Sequence, residues 1–365
     1  MILLVNKMYD PDIGGVETVV KEYAEFLKQH DNVSVLCINK RFSLKTHIEH
    51  KNGITVYRCA SFGTYFSMPI SLVFFIYLFF LSRKADIIHF HEPFPLASMG
   101  SFLLPTNKKV FVTWHSDIIK QKAVKRIVEF FQKKLCKKAD VIQATSDYLV
   151  SFSSVLPLFK QKVITIPLAI NPALYQNIDL TNIHLPDLPK DYVLFLGRFA
   201  YYKGLFVLLE AIEKIKEDIP FVIAGDGELK EEIKRKVDKS KKNITLIDRF
   251  VTEDEKKFLL KNCKFLIFPS IYPSEAFGLL QLEAMIYGKP VINTNLPTGV
   301  PWVSLHNVSG LTVKPFDSKS LSEAIKTLYN DNLYNKLSEG AKKRVLENFT
   351  ADITNKKIYN LYFTD

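Results

Sequence analysis

The sequence predicts an α/β protein of two similar doubly wound domains, and three observations carry that prediction. Short apolar runs alternate with helical patterns along the whole chain. Many of those runs are continuously apolar, the pattern of strands covered by helices on both faces. A polar, proline-containing stretch at 171–190 interrupts the alternation about halfway. A chain of 365 residues is long enough for two domains with separate cores.

The first series of strands is expected at 2–5, 33–38, 87–90, 110–113, 141–144 and 163–166. The second is expected at 193–197, 221–224, 244–247, 265–268 and 291–293. Between them lie amphipathic helices. Val16, Val19, Val20, Tyr23, Ala24 and Leu27 share one apolar face, and 211–215 continues a helix after Gly204. Such alternation builds parallel sheets from βαβ units. The domains are expected at 1–170 and 171–345, with 346–365 a C-terminal helix. Ligands of such folds sit at the carboxyl ends of the strands, so a substrate is expected in a cleft between the domains.

Composition narrows the class of partner. The chain has 49 basic and 38 acidic side chains, a formal net charge of +11. That surplus favours an anionic partner: nucleic acid, a phosphorylated substrate or the cytoplasmic membrane leaflet. No recognised nucleic-acid motif accompanies it, so nucleic acid is not the expected partner. Cys37, Cys59, Cys136 and Cys263 are scattered without CxxC spacing, which indicates reduced thiols in a cytosolic compartment rather than zinc or disulfides. The N-terminus reads as a buried strand running into a turn, not as a secretory signal. The run at 66–81, FSMPISLVFFIYLFFL, is 16 residues long and contains Pro69. It is shorter than the ~20 residues a spanning helix needs. A buried helix and a helix lying in the membrane interface both remain open.

Four constellations bear chemistry. SEAFGLLQLEAMIYGKPVI, at 274–292, follows an apolar strand. Glu275 is expected in a loop and Glu283 about two turns inside the next helix, with Phe277, Gly278 and Leu279 at the helix start. Backbone N–H groups there suit a diphosphate, Gly278 would let the backbone approach it, and two carboxylates can bracket a sugar nucleotide by accepting from its hydroxyls. LFLGRFAYYKG, at 194–204, places Arg198 and Lys203 in a loop after a strand, two cations for a leaving diphosphate. DPDIGGVE, at 10–17, puts Gly14 and Gly15 before a helix, where backbone can contact phosphate or sugar. Its Asp10-x-Asp12 is better explained by turn chemistry than by a metal. TWHSD, at 113–117, ends a strand at His115, and FHEPFPLAS ends another at His91 and Glu92. Those two side chains can line an acceptor pocket, or simply belong to a proline-containing loop.

Glu275-x7-Glu283 within EAFGLLQLEAM and GKPVI closely resembles the signature of family 4 glycosyltransferases, which have two Rossmann-like domains in the GT-B arrangement. GRFAYYKG, Gly14–Gly15, AGDGELKEEI and LPTGVPWV…HNVSGLTVKP are similar to family elements as well, so the resemblance covers nearly the whole chain. It implies a retaining transfer that needs no metal. Glu275 would lie by the donor sugar, and Glu283 would bind the ribose hydroxyls. Arg198 and Lys203 would hold the phosphates, and His115 would contact donor sugar or acceptor. It also implies that the C-terminal helix crosses back to the first domain. Ala169 and Asp248 depart from the family pattern, where glycine is common; the second change bears on the nucleotide base.

The glycan context resembles bacterial enzymes that build O-antigen or capsule repeats on a polyprenyl diphosphate carrier, using GDP-mannose or a UDP-hexose. The helix at 120–138 carries eight basic residues and one acid, Glu129, beside an apolar stripe that includes Val124. It is a solvated basic face or a contact with anionic lipid, and the second suits a lipid-linked acceptor and a peripheral place on the inner face of the plasma membrane. A sugar-nucleotide epimerase of the same layout, or a binding module without catalysis, are the competing functions.

Overall fold

The computed structural model describes residues 1–12, 14–65, 68–117, 122–330 and 333–364. Ile13 of the glycine-pair motif, Phe66 and Ser67 of the apolar run and residues 118–121 at the head of the basic helix lie outside these, as does the side chain of Val124. The chain divides into two compact units, residues 1–167 with 355–365, and residues 168–354. The polar stretch 171–190, with its short turns Pro172–Tyr175 and Leu180–Asn182, belongs to the second unit.

The first unit is built on β1 (Ile2–Val5), β2 (Val33–Ile38), β3 (His47–Lys51), β4 (Ile54–Cys59), β7 (Ile87–Glu92), β8 (Lys109–Trp114), β9 (Val141–Ala144) and β10 (Val163–Thr165), with a separate two-residue hairpin of β5 (Thr64–Tyr65) and β6 (Met68–Pro69). The sheet order is β10-β9-β8-β7-β1-β2-β4-β3. All neighbours are parallel except β3 and β4. That antiparallel pair was not expected. It closes over Asn52 (φ 51°) and Gly53 (φ 78°), the two positive angles a tight hairpin turn demands and the Asn-Gly sequence supplies. β3 is exposed throughout and carries His47, Glu49, His50 and Lys51, charged or polar groups that suit an edge strand.

The second unit has β11 (Val193–Leu196), β12 (Phe221–Ala224), β13 (Ile244–Ile247), β14 (Phe265–Phe268), β15 (Val291–Thr294) and β16 (Gly310–Val313), all parallel, in the order β13-β12-β11-β14-β15-β16. β11, β12, β14 and β15 are buried at every residue, as a sheet sandwiched between helices must be. β16 was missed because its glycine and threonine weaken the apolar signal. β7 runs past the expected 87–90 to Glu92, which brings His91 into the strand.

Each sheet reverses direction once, between β1 and β7 in the first and between β11 and β14 in the second. In a doubly wound sheet the loops diverge at such a point and leave room at the carboxyl edge. The residues singled out above cluster at these two edges.

A candidate active site at the switch point of the second sheet

β11 ends at Leu196 and the chain passes through Gly197, Arg198 and the turn Tyr201–Lys203 into the helix Leu205–Lys214. β14 ends at Phe268 and passes through Pro269, Ser270 and Glu275 into the helix Leu279–Met285. The two loops are pressed together. The Ile271 N–H donates to the Tyr202 carbonyl at 2.8 Å, and Gly204 (φ 73°) sits so near the Pro269 carbonyl that any Cβ there would collide with it. This close approach carries Lys203 to the loop of Glu275.

Lys203 Nζ donates to Glu275 Oε2 at 2.5 Å, and Ser270 Oγ donates to the same oxygen at 3.1 Å. The two charged side chains are only 15% and 12% exposed. Burial works against the Lys203 charge, but the Glu275 carboxylate more than offsets it, so its pKa is raised. The ammonium also lies 5.0 Å from the Phe268 ring centre. Lys203 is therefore paired with Glu275 rather than standing as an independent phosphate clamp. An ammonium has three donors, and one is committed here.

Glu283 is held in the same manner by different residues. Tyr175 OH donates to its Oε1 at 2.9 Å and Lys256 Nζ to that oxygen at 2.8 Å. Burial opposes the Lys256 charge, and Glu283 and then Glu253 raise its pKa. Each glutamate thus anchors one oxygen on a lysine and a hydroxyl. Glu275 Oε1 and Glu283 Oε2 accept no hydrogen bond among the described residues. Tyr175 and Lys256 escaped the sequence reading because Tyr175 lies 108 positions from Glu283 and Lys256 lies 27 from it, so no local motif joins them, whereas Ser270 is five positions from Glu275 and only its bond was not foreseen.

Three details correct the expectations. The helix begins only at Leu279, so Glu283 is little more than one turn inside it. Phe277 is buried against Trp302 and Phe349. Gly278 is required by φ 81° and by the Phe268 ring, whose Cζ would lie 2.7 Å from an added Cβ; that Cβ would point into the protein's own core, so the space the glycine frees is occupied by Phe268. Arg198 is 67% exposed and pairs with Glu228 at 3.2 Å. Asp248 approaches Lys234 at 3.6 Å.

The carboxyl edge of the first sheet has another character. His89, His91 and His115 form a buried stack, with ring centres 4.5 Å and 5.3 Å apart. His91 Nδ1 and His115 Nε2 are 3.1 Å apart. Tyr362 on the terminal helix Ala351–Phe363 hydrogen-bonds His89 Nδ1, and His89 Nε2 meets Thr113 Oγ1 at 2.7 Å. The Thr113 proton goes to Gln143 Oε1 at 3.1 Å, so His89 Nε2 is the donor in that pair. Burial pushes His89 and His115 down to about 3 and His91 well below its ordinary value, so the stack is neutral. His91 Nε2 is buried without a hydrogen-bond partner among the described residues. Glu92 is also fully buried, and its carboxylate accepts from the Phe94 N–H, Ser98 Oγ and Gln132 Nε2 at 3.1, 2.7 and 2.9 Å. Burial raises it to about 7 against those bonds. It closes its own loop instead of lining an open pocket.

At the glycine pair, Gly14 precedes the helix Gly15–Leu27, and the carboxylate of Glu17 occupies the space a side chain at 14 would need. Around Gly15 that space is open. Asp10 is paired with Lys21 and Lys51 at 2.7 and 2.8 Å, and Asp12 lies 3.6 Å from Arg58.

Two helix-covered, largely parallel sheets, each with a switch point in its strand order, are the architecture of the GT-B glycosyltransferases, and the comparisons agree. Residues 13–174 match the model described as Glycosyltransferase Family 4, and 178–344 match Glycosyl transferases group 1. The chain belongs to this glycosyltransferase family. It is 30% identical to the O-antigen chain mannosyltransferase C of Escherichia coli over 100% of this chain and 98% of the relative. It is 30% identical to the D-rhamnosyltransferase WbpZ of Pseudomonas aeruginosa over 74% and 71%. Its fold is similar to that of a sucrose-phosphate synthase from Thermosynechococcus elongatus (TM-score 0.80, 20% identity, 99% and 98% covered) and of Anabaena HepE in complex with UDP (0.74, 17%, 99% and 98%).

Proposed function

We propose that this protein transfers a hexose from a nucleoside-diphosphate sugar, GDP-mannose or a UDP-hexose, to a polyprenyl-diphosphate-linked glycan in O-antigen or capsule assembly. Transfer proceeds with retention and without a metal, at the inner face of the plasma membrane. The observation that carries this reading is the pair of anchored glutamates at the switch point of the second sheet. The names of two relatives, a mannosyltransferase matched over 98% of its length and a rhamnosyltransferase matched over 71% of its own, support the glycan class.

In this reading Glu283 Oε2 accepts from the ribose hydroxyls and Glu275 Oε1 from the donor sugar. Lys203 turns its two remaining N–H donors to the diphosphate, joined by Arg198 once it leaves Glu228. Gly14–Gly15, and Phe277 and Gly278 leading into the helix that begins at Leu279, bring backbone N–H groups to the donor. The bond from the anomeric carbon to the phosphate oxygen breaks as the acceptor oxygen bonds to that carbon from the same face. The acceptor proton passes to the departing diphosphate, whose growing charge the cations stabilise. His115, neutral at the edge of the first sheet, contacts sugar or acceptor.

A thermal-shift screen against UDP-, GDP- and ADP-sugars identifies the donor. Lys203→Ala and Glu275→Ala are expected to lower transfer at least ~10²–10³-fold, with circular dichroism unchanged. Full activity in either variant would sink the assignment. Donor turnover without acceptor, giving an epimerised sugar nucleotide, would replace it.

A further inference from the structure

The helix Val73–Lys84 has no charged residue from Val73 to Leu81, and the Tyr77 hydroxyl is the one polar side-chain group there. A helix that is apolar all round belongs in a core or against lipid. Here only one side is covered. Phe74, Leu78 and Leu81 are buried in the core of the first unit, while Leu72, Ile76 and Phe80, spaced four apart, are 66%, 56% and 59% exposed. The described part of the run, residues 68–81, is thus neither a wholly buried helix nor a spanning one: among the described residues no helix is long and apolar enough to cross a membrane.

This bare stripe continues onto its neighbours. Arg83 lies over the Phe79 ring and donates to the Leu103 carbonyl at 3.4 Å, tying the helix to the turn Ser101–Leu103. Phe102 in that turn is 55% exposed and meets Phe131 edge-on at 5.9 Å. Phe131 belongs to the helix Lys122–Lys138, whose own Ile127 and Phe130 are 60% and 53% exposed. Ile127, Phe130, Lys134 and Lys137 follow one another at helical spacing, and Lys134 Nζ lies 5.4 Å from the Phe130 ring centre. That helix has seven basic residues and one acid, Glu129, which is paired with Lys125 at 3.5 Å.

A contiguous exposed apolar surface marks a docking site, and the charge beside it selects the partner. Aromatic and aliphatic side chains with a basic border complement a lipid surface that is apolar inside and anionic at its headgroups. We propose that the face made by the helix Val73–Lys84, the turn Ser101–Leu103 and the helix Lys122–Lys138 docks on an anionic bilayer. Ile76, Phe80, Phe102 and Phe130 enter the acyl boundary, and Arg126, Lys134 and Lys137 meet the headgroups. The idea deepens the peripheral placement proposed above, since it makes apolar insertion as well as charge a condition of binding.

The test uses the full chain without substrates. Flotation with vesicles of phosphatidylcholine containing phosphatidylglycerol is compared with pure phosphatidylcholine. The protein is expected to float with the anionic vesicles only. Arg126→Glu with Lys137→Glu should lower partitioning at least about tenfold, since each charge near such a surface is worth about fivefold. Ile76→Ser with Phe80→Ser, both exposed and compatible with folding, should leave only binding that disappears in 0.5 M (roughly three times physiological) salt. Phe80→Trp emission should shift to the blue on anionic vesicles. No flotation, or flotation unchanged in both double variants, overturns the proposal. A salt-independent dimer that the serine variant dissociates also overturns it, by making the face a contact between copies. Transfer to a water-soluble acceptor without vesicles is measured in parallel. If docking fails while transfer survives, only this proposal falls; loss of transfer in the wild type with docking intact overturns the functional reading instead.

Discussion

The two sheets share one winding plan, yet their carboxyl edges are opposites. At β11 and β14 the edge is ionic and partly open, with Lys203–Glu275, Lys256–Glu283 and the exposed Arg198. At β7 and β8 the edge is a neutral stack of histidines locked to Thr113, Gln143 and Tyr362. The first arrangement suits a charged, exchangeable ligand, because Lys203 keeps donors beyond the one committed to Glu275 and Arg198 stands in solvent. The second holds its groups in one protonation state by burial, so it is shaped more by stability. The same fold supplies two edges, and the residue types divide their roles.

The largest expected contrast is kinetic. Glu275→Gln keeps the size of the side chain but removes the charge that holds Lys203, and kcat should fall ~10²–10³-fold in a transfer assay. Tyr362→Phe at the other edge should leave kcat within a few-fold and lower the melting temperature, because it deletes a buried hydrogen bond of His89.

Next comes acid sensitivity, which belongs to the first edge. The folded-state values of His89 and His115 are depressed to about 3 from 6.5, so protons bind the unfolded chain first. Stability is full above about 6.5 and is lost as pH falls toward 3, at about 1.4 kcal/mol per pH unit for each histidine. Glu92 acts the other way. Raised to about 7 from 4.5, it contributes stability below 4.5 that is lost as pH rises through 7. Glu92→Gln should therefore steepen the acid loss between 7 and 4.5 in urea melts at stepped pH. A profile flat from pH 7 to 4 would show that the stack is hydrated.

A smaller effect separates positioning from binding at the second edge. Lys256→Met and Tyr175→Phe leave Glu283 in place but loosen it. Titration calorimetry with the nucleoside diphosphate should show affinity weakened by about 2–10-fold for the tyrosine variant, the equivalent of one hydrogen bond. The lysine variant should lose more, and kcat should not move in either. A fall in kcat with unchanged affinity would place these residues in the chemistry instead. Glu228→Gln should be the mildest. Its partner Arg198 is 67% exposed, so melting should not change measurably, while Arg198 is released for phosphate and the donor KM falls slightly.

Much of the fold was legible because continuous apolar runs such as 193–196, 221–224 and 265–268 can only be strands buried on both faces. The β3–β4 hairpin was not seen, although Asn52–Gly53 announces it, because β3 is an exposed edge with little apolar content. At the second edge, the motif spacing located Glu275 and Lys203 in loops beside strands and Glu283 inside the following helix. It gave no hint that Lys203 and Glu275 are bonded to each other, or that Ser270, Tyr175 and Lys256 anchor the pair. The histidines of β7 were half visible. Reading the strand as ending at Phe90 hid the alternation that sends Ile88 and Phe90 into the apolar cluster and His89 and His91 to the opposite face.

The sequence alone determined the class of fold, the order of most of its buried strands and the identity of the acidic and basic side chains near the strand ends, since periodicity, glycine placement and motif spacing are local properties. Tertiary structure decided which charges neutralise one another, which histidines are dry, and that one face of an apolar helix stays bare. Those outcomes depend on burial and on partners far apart in the chain, as Tyr175 is from Glu283 and Tyr362 from His89. Only packing brings such groups within a few ångströms, where desolvation and hydrogen bonding set their chemistry.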